Sequence, residues 1–182
     1  LRALIDDPIL AVRMAVAEQL ADTPFEELRP QDIAGLAPLF DEYERVQSQH
    51  LDMPSVQLQL GNYWRLRGDL PQAEKALREA LVLNNQMEAA YINLADLLRA
   101  TQRDKEAKEL LTRGIESILN PGTLLHALGL LEIREGNTEQ ALPLLARSAA
   151  MESESTRHRY VYAVALHDTG SPTEAIQLLE RL

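Results

Sequence analysis

Cysteine is absent from the 182 residues. Within them there is therefore no disulfide, no thiolate metal site, no cysteine nucleophile and no attachment point for covalent haem. Basic residues are outnumbered, with 18 Lys+Arg against 28 Asp+Glu and a formal charge of −10. That sign repels phosphate backbones, whose neutralisation by Lys and Arg supplies most of nucleic-acid affinity, so direct binding of DNA or RNA is not expected. No apolar run approaches the roughly 18 residues of a membrane span, and no segment has a strongly basic amphipathic face, so no membrane contact is expected. A leader pattern is missing too, although a chain opening on Leu1 reads as an excised piece. There is no glycine-rich phosphate loop, no nucleophile with base and orienter, and no paired carboxylates in a plausible pocket. Neither an enzymatic activity nor a cofactor is expected of these residues.

What is present is a period. Ala73, Ala107, Ala141 and Ala175 stand 34 residues apart, and Leu77, Leu111, Leu145 and Leu179 keep the same step. So do the turn sites Gly68, Gln102, Gly136 and Gly170. A fixed step of this size over four units marks a repeat protein, each unit a helix, a turn and a second helix. The units begin at Pro54, Glu88, Gly122 and Thr156, giving 54–87, 88–121, 122–155 and 156–182. Second helices have cap residues at Asp69, Asp104, Asn137 and Ser171, with Glu174 completing a capping box on Ser171. Pro143 should cost the third unit's second helix one hydrogen bond.

Residues 1–21 read as a helix pair broken at Asp7-Pro8. Ile9, Val12, Val16 and Leu20 then fall on one helical stripe, with Arg13 and Glu18 off it. Asp7, Pro8, Val12, Arg13, Val16, Ala17, Glu18 and Leu20 together resemble the second half of a HEAT repeat. Two prolines and three acids between Asp22 and Pro30 predict a linker over 22–32. Over 33–53, Ile33, Leu36, Phe40 and Tyr43 predict a helix despite Gly35 and Pro38. Leu39 and Tyr43 lie one period before Ala73 and Leu77, so this helix reads as a degenerate repeat capping the array.

The repeated residues resemble the tetratricopeptide repeat, in which a large residue, a Leu-Gly pair and an aromatic on the first helix meet Ala-x3-aromatic on the second. Leu60, Gly61, Trp64, Ala73 and Leu77 carry the match in the first unit. Leu94, Ala95, Leu98, Ala107 and Leu111 carry it in the second, and Leu128, Gly129, Ala141 and Leu145 in the third, where Glu132 stands at the aromatic site. Tyr162, Ala163, Leu166, Ala175 and Leu179 carry it in the fourth. The implied fold is all-α, a right-handed α-α superhelix behind a HEAT-like half-repeat. Glu42-Tyr43, Ala90 to Leu97, Leu125 to Leu130 and Tyr160 to His167 also resemble the C-terminal scaffold of bacterial multihaem cytochrome c family proteins. That resemblance implies a periplasmic accessory docking domain for haem domains elsewhere.

In the repeat family the first helices line a concave face. By that implication the partner-binding residues here are Leu58, Asn62, Arg65, Ile92, Asn93, Asp96, Arg99, His126, Leu130, Tyr160 and His167. The expected function is a scaffold for a protein or peptide, with asparagine amides holding a backbone and apolar positions accepting side chains. Asn62 and Asn93 match the asparagines of members that clamp a C-terminal carboxylate, but Leu58, Ala89, Thr123 and Ala127 stand where cations or polar partners would be needed. Acidic tails are therefore not expected to bind tightly. His126, His158 and His167 lack a partner ligand at i, i+4, so no metal site is expected. Trp64 and Tyr162 fall on packing sites and read as core. Ala175, Leu178, Leu179 and Leu182 predict an uncovered end through which copies could self-associate.

Overall fold

The computed structural model describes residues 2–23, 30–151 and 155–180, and among them every regular element is helical. The chain is all-α. It divides into two compact units, Leu1–Asn84 and Asn85–Leu182. The first holds α1 (Arg2–Ile5), α2 (Leu10–Gln19), α3 (Pro30–Gln47), a 3₁₀ turn at Ser48–His50, α4 (Pro54–Leu66) and α5 (Leu70–Leu83). The second holds α6 (Glu88–Ala100), α7 (Asp104–Ser117), α8 (Gly122–Arg134), α9 (Thr138–Met151), α10 (Thr156–Asp168) and α11 (Pro172–Leu179). Helices α4, α6, α8 and α10 start at the four positions that the period predicts.

In the first unit the chain breaks at Asp7-Pro8, and Asp7 Oδ1 accepts a hydrogen bond from the Ile9 amide at 2.8 Å. The expected stripe on α2 is rotated. Ile9 is 60% exposed, whereas Ala17 and Ala21 are buried with Met14, Val16 and Leu20 packed beside them. Polar chemistry on α3 explains the rotation. Arg13, predicted to lie off the buried stripe, makes paired hydrogen bonds of 2.7 and 2.8 Å to Glu42. Glu18 accepts from the Tyr43 hydroxyl at 3.0 Å. Helix α3 begins at Pro30, inside the span expected to be linker; the rest of that linker, 24–29, lies outside the described residues. Pro38 sits within α3 on an exposed face.

The core of this unit joins Leu36, Leu39, Phe40 and Tyr43 of α3 to Val56, Leu60 and Tyr63 of α4. The Tyr43 and Tyr63 rings lie 4.7 Å apart. Burial, reinforced by Glu18 and Glu44, pushes both phenols up from their ordinary values. Trp64 packs edge-on against Tyr63 at 5.0 Å, half-buried against this core.

Each repeat closes on a small residue. A Cβ on Gly61 would stand 2.6 Å from Leu77 Cγ, and one on Gly129 would stand 2.7 Å from Leu145 Cδ2. The glycines thus admit a leucine from the second helix against the backbone of the first. Ala95 and Ala163 take the same place in the other two repeats, buried at 2% and 1% exposure.

The turns are left-handed at all four repeat positions, with φ of 80° at Gly68, 60° at Gln102, 82° at Gly136 and 87° at Gly170. Glycine adopts this conformation freely and glutamine does not. Gln102→Gly should therefore stabilise the second unit by about 1 kcal/mol in urea denaturation, since the unfolded-state entropy of glycine offsets part of the relieved strain.

Caps follow the sequence in part. Asp69 caps α5 by accepting from the Gln72 amide at 3.1 Å. Asp104 is the first residue of α7 rather than its cap, and Ser171 precedes α11 without a side-chain cap bond, so the expected capping box is not formed. Ser155, unremarked in the sequence, caps α10 through the His158 amide. Ala175 is buried with Ala163 and Leu166, so it is not part of an uncovered end; Ile176 and Leu179 of α11 are the exposed apolar residues there, and Leu182 lies outside the described residues.

Candidate binding faces

The first helices present three grades of exposure among the predicted partner-binding residues. On α4, Leu58 and Asn62 are half-buried and Arg65 is exposed, while Val56, Leu60, Gly61 and Tyr63 turn inward. On α6, Ile92, Asn93 and Arg99 are half-buried and Asp96 is exposed. Arg99 Nη1 donates to Asp96 Oδ1 at 2.6 Å, so this charge is already matched within the helix. Asn62 and Asn93 are both engaged by neighbours. On α8, Leu130 is half-buried. On α10, Tyr160 is 56% exposed and Val164 41%, with His167 exposed one turn beyond and Ala163, Ala165 and Leu166 buried. His167 Nδ1 lies 3.2 Å from the adjoining Asp168 carboxylate.

His126 departs from expectation. It is 5% exposed, because the ring of His158 on α10 stacks over it at 4.1 Å and 13°. Neither ring nitrogen of His126 has a hydrogen-bond partner. Burial first, then His158 and Arg157, lower its pKa to about 4. A ring held neutral and covered by a neighbouring helix cannot meet a ligand on this face.

One polar site was missed in the sequence, and at a second the charge was noted but not its partner. Ser148 on α9 is fully buried, donates to the Gly122 carbonyl at 2.7 Å and lies 3.0 Å from His158 Nδ1. With its own proton on a carbonyl, the serine oxygen accepts from Nδ1–H of His158, which assigns that tautomer. A serine beside a histidine invites a nucleophile reading. Here the hydroxyl is committed to backbone and sealed from solvent, so the pair joins three helices rather than activating an oxygen. Counting by the period, Ser148 and His158 replace Gly114 and Leu124, whose close approach fills the same position one repeat earlier.

The second site is Glu132, 3% exposed at the aromatic position of the repeat. Lys108 Nζ of α7 meets it at 2.6 Å and Glu135 at 3.2 Å, and Asn137 Nδ2 donates to it at 2.9 Å. The hydrogen bond that Lys108 donates to Glu132 foremost raises the lysine pKa. Among the described residues no group of three or more His, Asp or Glu could hold a metal ion, and no helix is long and apolar enough to cross a membrane.

Family comparison agrees with this geometry. Two models of the tetratricopeptide repeat match, over residues 65–128 and 126–182. Among curated proteins nothing matches. Neither family match extends to α1–α3, and no comparison supports the expected HEAT-like pair. The stretches 90–97, 125–130 and 160–167 that carried the cytochrome c family resemblance fall inside the tetratricopeptide matches, and nothing supports that resemblance or the periplasmic placement it implied. Among solved structures the chain is similar to MamA, at 18% identity and a TM-score of 0.65 over 83% of this chain and 88% of that one. It is similar also to YrrB, titled a TPR protein with an unusual peptide-binding site, at 20% identity and 0.60 over 76% and 71%. A third is the Cut9–Hcn1 hetero-tetramer of APC/C, at 16% identity and 0.64 over 98% of this chain and 32% of that one. With helix pairs recurring every 34 residues, two of them closed by a glycine against a leucine, and with matched repeats running from 65 to 182, the chain belongs to the tetratricopeptide repeat family.

Proposed function

We propose that this chain is a non-catalytic binding module that holds an extended peptide or a helix of a partner protein. In the second unit the contact residues are Ile92, Asn93, Asp96 and Arg99 on α6, Leu130 on α8, and Tyr160, Val164 and His167 on α10. His126 is withdrawn from that set. Leu58, Asn62 and Arg65 offer a separate patch of similar chemistry on the first unit.

The observation that carries the proposal is the exposed face of α10. Tyr160 and Val164 share one helical stripe at i, i+4 and stay in solvent while the opposite stripe packs. A tyrosine there supplies a large, stiff contact with a polar tip, the type of residue that anchors interfaces. The ion-paired Asp96–Arg99 end adds little net charge, so an anionic tail gains little compensation.

Peptide-display selection against the full chain tests this. Selected neutral or mixed-charge peptides should bind at micromolar or better affinity and lose about ten-fold or more on Tyr160→Ala/Val164→Ser. Val82→Ser, on the 77% exposed flank of α5, should leave binding unchanged. Acidic C-terminal peptides should bind more weakly than the selected ones. Equal affinity for all three proteins, or no selected peptide, would remove the proposed face.

A further inference from the structure

We propose that the α8–α10 contact is an acid-opened joint, in which protonation of His126 parts the α10–α11 hairpin from α8–α9. The geometry is a parallel pair of buried imidazoles, 4.1 Å apart, one of them with no hydrogen-bond partner on either nitrogen. Stacked neutral rings are tolerated, but a cation made there has no protein acceptor on either nitrogen and a second basic ring against its face. The pair is not a metal site, because parallel rings direct their lone pairs along separate planes and one ion cannot sit on both.

No nearby charge rescues the cation. Helix α10 contributes His158 and Arg157, and these act on the ring, both disfavouring a further positive charge. Helix α9 contributes Ser148, whose proton is on the Gly122 carbonyl. Helix α7 contributes Lys108, closed on Glu132 and Glu135 further along α8. Helix α6 contributes Asp96 and Arg99, closed on each other, and Glu88, whose carboxylate is not among the groups that act on the His126 ring.

The sign follows from linkage. His126 is depressed from 6.5 to about 4 when folded, so the closed joint has its full stability above about pH 6.5 and loses it as pH falls toward about 4. Near the lower value the open form gains about a hundred-fold over neutral pH. Opening would also carry away Tyr160 and Val164, a consequence that rests on the proposed binding role; the joint itself does not.

The test is amide hydrogen exchange on the full chain across this range, for wild type and for His126→Phe, which keeps a flat ring in the stack and removes the proton site. Relative to the variant, wild type should lose about a hundred-fold protection in α10 and α11 near pH 4, with α4 and α5 unaffected by the substitution. Identical acid profiles in the two proteins, or a substitution effect spread evenly over the chain, would overturn the joint. An NMR titration of the wild-type imidazole decides independently of how the variant folds. A midpoint far below the ordinary histidine value supports the joint, and a midpoint near 6.5 overturns it. Neither readout uses a peptide, so failure here is separate from failure of the binding proposal.

Discussion

Lys108→Met should destabilise the second unit by about 3 kcal/mol, measured by urea denaturation at neutral pH. The substitution removes the cation that meets the Glu132 carboxyl in a site where its side chain is only 4% exposed, with Asn137 as its remaining side-chain donor. Losing one member of a buried pair costs about 3–5 kcal/mol, and the lower end applies because the Lys108 side chain is 31% exposed and water can follow it in. The decisive comparison is Lys108→Leu/Glu132→Leu. One repeat later the same two positions are Leu142 and Leu166, and Leu142 packs against the cluster containing Leu166. The double variant should match or exceed wild type, because two desolvated charges are replaced by a contact this scaffold already makes. A double variant as unstable as Lys108→Met would show that the ion pair has a role that apolar packing cannot fill.

Leu145→Ala should cost about 3–4 kcal/mol, because a fully buried side chain is removed from a closed junction and the helices cannot collapse completely into the space. Gly129→Ala should cost about 1–3 kcal/mol, since its new methyl would lie 2.7 Å from Leu145. In the double variant the alanine at 129 enters the space that Leu145 vacates. The double variant should therefore cost less than the sum of the two single variants by at least about 0.5 kcal/mol. Strict additivity would mean that Gly129 is required by its backbone rather than by the leucine opposite.

The repeat was legible because close packing forces a small residue and a large one to recur at fixed places. Ala73 and Leu77, Ala141 and Leu145 are each at 0% exposure. The helix starts at Pro54, Glu88, Gly122 and Thr156 follow from the same regularity. Helix α2 was less legible, since Arg13 and Glu18 find partners on α3 at sequence separations that no local pattern encodes. His126 was misplaced for a related reason. Its period equivalents Ile92 and Leu58 are half-exposed, whereas the ring of His158, at a position held by Leu124 one repeat before, stacks over it. Ser148 had a signal that could have been used: Ala80, Gly114 and Ser148 form a buried small-residue series at the repeat step. Glu132 stood out as a charge in an aromatic place, but its lysine sits a repeat earlier and could not be paired with it from spacing alone.

The central claim is that ligands meet the first-helix face of the second unit, and NMR mapping of a display-selected peptide on isotope-labelled protein tests it most directly. Shift changes should concentrate at Ile92, Asp96, Leu130, Tyr160, Val164 and His167. Changes concentrated instead on the second helices α7, α9 and α11 would contradict it.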